Sequence, residues 1–229
     1  MNENTKRSDQ TRQKILDAAL TLFQKRGFAE TTMRDIGKEA GVALGAAYYY
    51  FDSKDALVMA CYERAQQEWI PPAEKALAAS KDLKARLGVV IEAKLNCFAP
   101  HRRLLAALST HIDPLHPLSP FSAETEHIRE KDISFMSRAL EGAKVKVASD
   151  VLPYLPRLLW LYQLGIILFW IFDRSPHQRK TKMLYEKSLS IVVRLIKFSG
   201  LPLLRPIRKL VIELIETVYT DNLSAEVSA

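Results

Sequence analysis

The segment 31–57 constrains the fold of this chain more than any other part of the sequence. Thr32 is followed three residues later by Asp35, which is the spacing of a capping box at the start of a helix. Gly41 can adopt the left-handed conformation that a tight turn requires. A second short helix is expected over residues 44–51. Two short helices joined in this way predict a helix-turn-helix.

Apolar residues recur at helical spacing through the chain and predict an all-α protein. Ser8 is expected to precede the first helix and Gly27 to end it, with an apolar face formed by Ile15, Ala18, Ala19, Leu22 and Phe23. A helix over 54–69 should break or kink at the prolines 71–72. The remaining helices are predicted over 82–98, 101–111, 121–142, 153–173, 176–199 and 206–219, with a proline-rich connector over 111–120. No window alternates with the period of a strand, and no internal repeat is visible.

Charge is unevenly distributed along the chain. The formal net charge is +7, which makes a polyanion a plausible partner. Residues 1–60 carry 9 Lys and Arg against 8 Asp and Glu, so bulk charge does not argue for DNA binding there. Residues 174–209 carry 10 basic residues against one acid, Glu186. This basic stretch is interpreted either as a solvated face or as a surface that attracts an anionic ligand or a membrane.

The cysteines and the longest apolar run indicate a cytoplasmic protein that does not insert into a membrane. Cys61 and Cys97 lack metal-ligand spacing and are expected to be buried thiols in a reducing compartment. The N-terminal residues are polar and lack the apolar core of a signal peptide. The apolar run 158–172 is shorter than the roughly 20 residues of a membrane span. It predicts a helix that is buried on all sides, inside a domain or at a subunit interface.

The second helix of the 31–57 segment has the composition of a helix that approaches DNA closely. Small residues at 43 and 45–47 remove side chains that would hold the backbone away from the groove. The tyrosines 48–50 offer apolar faces to thymine methyl groups and hydroxyls to phosphates. Thr32 offers donors at a helix N-terminus, and Lys54 adds a cation.

At this point the chain resembles the TetR family of bacterial regulators. The resemblance spans residues 11–57 without a gap and rests on Thr11-Arg12, Ile15-Leu16, Ala18-Ala19, Leu22-Phe23, Gly27-Phe28, Thr31-Thr32, Asp35-Ile36, Ala40-Gly41-Val42, Gly45, Tyr48-Tyr49-Tyr50-Phe51, Lys54 and Leu57. It implies a DNA-binding domain over 1–54 and a linker helix over 54–70. It also implies a larger helical ligand-binding and dimerisation domain over 71–229.

The resemblance also implies where DNA is contacted. Gly45 and Tyr48 are expected at base edges, and Lys54 with two further tyrosines at phosphates. The full set of expected DNA-binding residues is Thr31, Thr32, Ala43, Leu44, Gly45, Ala46, Tyr48, Tyr49, Tyr50 and Lys54. Ala43, Leu44 and Ala46 stand where the family usually has polar residues, so specificity is expected to rest on thymine methyls and DNA shape. An alternative interpretation places Tyr48 and Phe51 in the core of the domain.

The second half supplies residues typical of an effector pocket, which is mostly apolar with a few placed polar groups. The predicted pocket consists of Trp69, Asn96, His111, Phe135, Trp160, Gln163 and Trp170. Gln163 lies within the apolar run and must find a partner, either a ligand or, in the alternative interpretation, a neighbouring residue across a dimer.

These features predict a homodimeric repressor that a small apolar or aromatic effector releases from a palindromic operator. An activator, or a DNA-binding protein of the same fold without a ligand, is the alternative. The five histidines lack paired helical ligand spacing, and no nucleophile motif or phosphate-binding loop is present. We therefore expect no enzymatic activity, no catalytic residues, no metal and no cofactor.

Overall fold

The computed structural model describes residues 3–226, with side chains described for residues 5–217. The outer ends of the two predicted domains, at residues 1 and 229, lie outside the described residues. Within this range ten α-helices follow one another: α1 Glu3–Arg26, α2 Met33–Ala40, α3 Leu44–Tyr50, α4 Lys54–Ala79, α5 Leu83–Phe98, α6 Arg102–Leu108, α7 Glu126–Glu141, α8 Leu155–Phe172, α9 Arg179–Phe198 and α10 Arg205–Glu226. Residues 3–226 contain no strand, and the prediction of an all-α fold is confirmed.

The first three helices and the start of α4 enclose one apolar core. The predicted face of α1 is buried there, with Ile15 and Phe23 fully enclosed. Ile36 of α2, Ala47 of α3 and Leu57 of α4 close the cluster from the other sides. Burying a side chain of this size contributes about 1.5–3 kcal/mol, so packing stabilises helices that are too short to be stable alone.

The start of α1 differs from the sequence prediction. The helix begins at Glu3, so Ser8 lies inside it and does not cap it. The Ser8 hydroxyl instead lies 3.2 Å from the Tyr50 hydroxyl. The Ser8 hydroxyl, which the local sequence assigns to a helix cap, thus interacts with a side chain 42 positions away in the sequence.

Helix α4 passes through both halves of the molecule without a break. Its first turns pack Leu57 and Val58 into the N-terminal core, and its later turns pack Ala73 and Leu77 into the C-terminal core. The predicted end of this helix near residue 70 was wrong, since α4 continues through Pro71 to Ala79. Internal proline costs about 3 kcal/mol or more, but the buried residues beyond it hold the last turns in helical position.

The C-terminal core is built around α5. Leu87 and Ile91 of α5 pack among buried residues of the surrounding helices, including Met136 of α7, Leu159 of α8 and Leu189 of α9. Helix α5 therefore lies at the centre of this half, between α4, α7, α8 and α9.

Residues 109–125 form a compact connector between α6 and α7. The predicted helix start at residue 121 was wrong, since α7 begins at Glu126. Side-chain hydroxyls take the place of helical hydrogen bonds in the connector: Thr125 donates to the Ser119 carbonyl at 2.6 Å, and Ser122 donates to the Pro117 carbonyl at 3.1 Å. These hydrogen bonds fix the conformation of a proline-rich segment whose sequence alone predicts no regular structure.

Helix α8 carries the apolar run but is buried on one side only. It is the one helix within residues 3–226 that is long and apolar enough to cross a membrane by length and composition, a property shared by core helices of soluble proteins. Its inner face includes Leu159 and Ile166, whereas Phe169 and Phe172 are exposed. The single chain therefore does not bury α8 on all sides, and burial of its outer face at a subunit interface stays a prediction.

The turn from α8 to α9 is held by Asp173. Its carboxylate accepts hydrogen bonds from the Ser175 N–H at 2.8 Å and from the N–H and hydroxyl of Thr181 at 2.8 and 2.7 Å. Burial opposes the charge, but these hydrogen bonds outweigh it and lower the pKa of Asp173. The turn thus sets the angle between the two helices.

The two cysteines differ in their surroundings. Cys61 is buried, and burial raises the pKa of its thiol to about 12. Cys97 was predicted to be buried but is only partly so, with its thiol 3.5 Å from the Ala65 carbonyl oxygen. Burial also raises the pKa of Cys97, so both groups remain thiols at neutral pH.

Candidate nucleic-acid interface and ligand cavity

The start of α2 and the turn between α2 and α3 have the local structure that the sequence predicts. The Thr32 hydroxyl accepts the Asp35 N–H at 3.2 Å, and the Asp35 carboxylate accepts the Thr32 N–H at 3.1 Å, which completes the capping box. Gly41 has φ 68°, a conformation that favours glycine. A Cβ at Gly37 would lie 3.4 Å from the Val42 carbonyl oxygen, so the close approach of the turn favours a residue without one.

Helix α3 presents one face to solvent and one to the core. Ala47 and Phe51 are buried, which confirms the core interpretation for Phe51. Tyr48 is 48% exposed and Tyr49 is 82% exposed, so both rings are free to meet another molecule. Among the other residues predicted to contact DNA, the structure exposes Thr32, Ala43, Leu44 and Gly45 and leaves Ala46 half-buried. Ala43 gives α3 no side-chain cap.

Thr31 has a structural position instead of the predicted contact with phosphate. Its side chain is fully buried, and its hydroxyl donates to the Gly27 carbonyl at 2.7 Å. Its N–H donates to the Phe28 carbonyl at 3.4 Å. The residue closes the turn between α1 and α2, so it cannot offer a donor to DNA in this conformation.

Tyr50 and Lys54 also make contacts within the protein. The Lys54 ammonium group donates to the Phe28 carbonyl at 2.8 Å and lies 4.5 Å from the centre of the Phe28 ring. The Tyr50 ring packs edge-on against Tyr49, with centroids 5.1 Å apart, and its hydroxyl lies beside Ser8. Both side chains are half-buried. Their contact with phosphate stays a prediction.

A largely apolar cavity of about 370 Å³ lies in the C-terminal half, between α5, α6, α7, α8 and the 109–125 connector. Four aromatic side chains form part of its wall, namely Tyr62, Phe98, Phe121 and Trp160. The Phe121 and Trp160 rings meet edge to face at 5.7 Å. This volume is within the range of about 300–1,000 Å³ for small-molecule sites.

The cavity contains a buried ion pair and two unpaired acceptor atoms. The Lys94 ammonium forms an ion pair with Asp132 Oδ2, and both side chains are almost completely buried. Asp132 Oδ1 and Gln163 Oε1 have no hydrogen-bond partner within the described part of the chain. Buried polar atoms are nearly always paired, so each of these two calls for a partner, either an ordered water molecule or a ligand.

Three of the seven predicted pocket residues line this cavity: His111, Trp160 and Gln163. Burial and the neighbouring His116 lower the pKa of His111, whose Nδ1 lies 3.3 Å from the Leu108 carbonyl oxygen. A largely neutral imidazole is therefore expected at neutral pH.

The other four predicted pocket residues lie elsewhere. Trp69 and Phe135 pack together in the core with ring centroids 4.8 Å apart, and Trp170 packs against the Arg102 guanidinium at 5.4 Å. Asn96 is exposed and lines, together with Trp69, a second pocket of about 440 Å³ that is more open to solvent. These four residues therefore do not line this cavity, and the three aromatic ones among them show that such residues fill helical cores as readily as pockets.

Lys94, Arg129 and Asp132 are polar cavity residues that the sequence prediction missed. Lys94 follows Leu87 and Ile91 on the apolar face of α5, at helical spacing. Asp132 similarly precedes Phe135, Met136 and Ala139 on the apolar face of α7. A charged residue on the apolar face of a predicted helix is the sequence signal that could have identified Lys94 and Asp132.

The basic stretch 174–209 is displayed on the surface of α9 and the start of α10. Its basic residues are exposed, apart from Arg208, which is half-buried and contacts Asp150 with Nε–O distances of 3.0 and 3.1 Å. This placement agrees with the solvated-face interpretation. Residues 3–226 contain no group of three or more His, Cys, Asp or Glu side chains that could hold a metal ion.

An exposed helix on a helix-turn-helix, joined to a larger helical domain, defines a DNA-binding protein of the helix-turn-helix class. Two family models match the chain: "Bacterial regulatory proteins, tetR family" over residues 15–61 and "Tetracyclin repressor-like, C-terminal domain" over residues 86–214. The chain belongs to the TetR family of bacterial DNA-binding transcriptional regulators.

Similar proteins extend the comparison. The transcriptional repressor KstR2 of Rhodococcus jostii is 49% identical over 47 residues, which cover 20% of this chain and 23% of KstR2. The regulator BetI of Burkholderia cenocepacia is 27% identical over 157 residues, 66% of this chain and 80% of BetI. The crystal structure of FadR from Bacillus subtilis in complex with stearoyl-CoA has a TM-score of 0.60 at 17% identity and covers 82% of this chain and 98% of its own.

These similarities differ in what they cover. The chain spans about a quarter or less of the length of several curated relatives that it matches, KstR2 included, and those matches lie in a short region. The likeness to FadR extends over 82% of this chain and concerns the fold alone. The family identifies a DNA-binding transcriptional regulator.

Proposed function

We propose that this chain is a cytoplasmic, homodimeric repressor that a small apolar effector releases from a palindromic operator. The observation that carries the proposal is the apolar cavity in the C-terminal half, with its buried ion pair and two unpaired acceptors. A purely architectural DNA-binding protein has no use for such a site, because a cavity of this size and two unpaired acceptors reduce stability.

The packing around the cavity supports a route from the effector to the DNA-binding helices. Leu108 and Leu118 line the cavity and also pack into the N-terminal core. The Gln24 side chain of α1 donates to the Pro100 carbonyl at 3.0 Å and lies 3.1 Å from His101 Nδ1. An effector that displaces α6 would therefore shift α1 and the helix-turn-helix attached to it. A coupling free energy of about 1–3 kcal/mol is typical of such a population shift.

DNA recognition is assigned to the exposed face of α3. Tyr48 and Tyr49 extend furthest into solvent, and Leu44 adds a third apolar group. Such a face suits thymine methyl groups, while Thr32 and Lys54 lie at helix ends where phosphates bind. Thr31 is left out of this proposal because its side chain is buried.

The proposal is tested by measuring operator binding with and without the molecule that copurifies with the protein. Native mass spectrometry identifies that molecule, and selection from a random DNA library supplies the operator. We expect a palindromic site, and at least tenfold weaker binding when the effector is saturating, as follows from a coupling of about 1.4 kcal/mol or more. The Tyr48→Ala variant is the control for specific contact and should bind the site weakly in both conditions. Equal operator affinity with and without saturating effector would contradict the repressor model.

A homodimer is supported by apolar side chains that α8 and α9 leave exposed. On α9 they recur at helical spacing as Leu184, Ile191, Leu195 and Phe198, and α8 adds Phe169 and Phe172. Monomeric proteins seldom expose a contiguous apolar surface of this kind. Pairing two copies would bury this face and place two recognition helices on the two half-sites of a palindrome.

Replacing Leu195 by glutamate is expected to convert the dimer to a monomer and to weaken operator binding at least tenfold. Leu195 is 63% exposed in the single chain, so the folded monomer tolerates the charge, whereas an interface would have to bury it. Leu115→Glu is the matched control, since Leu115 is 90% exposed on the connector. Light scattering at micromolar concentration measures the mass; a dimer of the L195E variant would exclude this face as the interface.

The residues of the cavity, and not the structural neighbours, indicate the class of effector. FadR of Bacillus subtilis was solved with stearoyl-CoA, but at 17% identity that likeness concerns the fold alone. The side chains that line the cavity of this chain determine which ligand chemistry fits it.

A further inference from the structure

The polar end of the cavity demands hydrogen-bond donors. Asp132 and Gln163 are 4% and 2% exposed, and each has one side-chain oxygen without a partner within the described residues. Both atoms are acceptors as placed. The amide of Gln163 can rotate to present its N–H₂ group, but an ionised Asp132 can only accept. A ligand that fills this cavity must therefore bring at least one donor to Asp132 Oδ1.

The charges around the cavity argue against a cationic ligand, and the unpaired acceptor argues against an anionic one. Lys94 and Asp132 balance each other, and Arg129 adds a positive charge while donating to the Pro120 and Ser122 carbonyls at 3.0 Å each. A ligand ammonium would be buried near two cations, one of them unbalanced by any acid lining the cavity. A ligand carboxylate could approach Lys94 or Arg129, but it would place acceptors against Asp132 Oδ1 and provide no donor.

The shape and lining of the remaining cavity favour an aromatic body. Tyr62, Phe98, Phe121 and Trp160 form one continuous lining with apolar side chains of α6 and α8. Aromatic rings pack well in offset and edge-to-face arrangements, and the Phe121–Trp160 pair already adopts one.

We propose that the effector is an uncharged aromatic molecule with at least one hydroxyl group, which binds at Asp132 and Gln163. The hydroxyl donates to Asp132 Oδ1, and its oxygen accepts from the rotated amide of Gln163. A hydroxyl supplies both a donor and an acceptor, as a water molecule at the same place would, so it fits a site where both are required. This inference rests on the proposed function, since it treats the cavity as the effector site.

Four probes with a common biphenyl body separate the chemistries. They are 4-phenylphenol, biphenyl, biphenyl-4-carboxylate and 4-phenylbenzylamine, each titrated into the full-length protein by calorimetry at pH 7. We expect 4-phenylphenol to bind at least tenfold more tightly than each of the other three, because only it meets the unpaired acceptor without adding a charge.

The variant Gln163→Leu tests the polar end with two readouts of opposite direction. It keeps the side-chain volume but removes the unpaired amide, so the melting temperature of the free protein should rise. Its affinity for 4-phenylphenol should fall about tenfold while that for biphenyl does not fall. Gln66→Leu is the matched control: Gln66 is also buried, but its amide donates to the Ile128 carbonyl at 3.1 Å. That variant should lose thermal stability and keep its affinity for 4-phenylphenol.

Several outcomes would overturn the inference. It fails if the carboxylate, the amine or biphenyl binds as tightly as 4-phenylphenol, if none of the four binds, or if Gln163→Leu leaves 4-phenylphenol affinity unchanged. The proposed function is tested separately, by operator release with the copurified molecule. Release by a carboxylate or an amine would keep the repressor model and reject only the hydroxylated ligand.

Discussion

Replacing Arg86 by leucine is expected to lower the free energy of unfolding by about 3–5 kcal/mol, because several buried carbonyl groups lose their only cationic donor. The Arg86 guanidinium donates to the carbonyls of Ser80, Arg138 and Ala139 at 2.8, 2.7 and 2.9 Å, and to that of Leu77. These carbonyls belong to the C-terminal ends of α4 and α7, where helices have unpaired acceptors and partial negative charge.

The size of this effect is measured by urea unfolding of the wild type and two matched variants. Arg86→Lys retains the charge but not the planar set of donors, so it should fall between the wild type and Arg86→Leu. Arg138→Leu removes an exposed arginine that pairs with Glu74 at 2.9 Å, and should cost no more than about 1 kcal/mol. A loss below about 1 kcal/mol for Arg86→Leu would show that water replaces the guanidinium at these helix ends.

Replacing Lys94 by methionine is expected to lower the free energy of unfolding by about 3–5 kcal/mol, since it leaves the buried Asp132 charge without its partner. The pair lies between α5 and α7, and its side chains are 7% and 6% exposed. Methionine occupies a similar volume, so the loss reports on the charge and not on a cavity.

The double variant Lys94→Met with Asp132→Leu distinguishes the loss of the whole ion pair from the loss of one partner. Replacing both members of a buried ion pair by apolar residues is often neutral or stabilising, so most of the lost stability should return. The coupling between the two sites is obtained from the four unfolding free energies of the cycle. A double variant as unstable as Lys94→Met would mean that the pair is not the source of the loss.

The helix-turn-helix could be predicted from the sequence because its signals are local. The Thr32–Asp35 capping box and Gly41 act within a few residues of their own position, and the structure contains both. The buried face of α1 follows equally from helical spacing. Signals of this kind need no knowledge of the rest of the fold.

The predictions that failed depend on partners far away in the chain. Two prolines do not end α4, because Ala73 and Leu77 beyond them are fixed by the C-terminal core. The partner of Lys94 lies 38 positions away, so spacing alone could not reveal the pair.

The ligand cavity was only partly predictable for a related reason. Large aromatic residues in an all-α chain fill cores as well as cavities, and Trp69 and Phe135 belong to the core. Gln163 was singled out because a polar residue within an apolar run needs an explanation, and it lines the cavity. Polar residues on apolar helix faces were thus a better guide to this cavity than aromatic residues.

The packing of Leu104, Leu108 and Leu118 against the first three helices limits how far this regulator can be treated as two interchangeable modules. A hybrid that joined its DNA-binding half to a sensor half from another regulator would replace all three leucines and thereby part of the surface against which the first helices pack. A hybrid with new specificity therefore has to keep α6 and the connector together with the DNA-binding half, or redesign the contact between them. Residues 54 and 70 are therefore boundaries in the sequence pattern, but neither is a suitable junction for a hybrid protein.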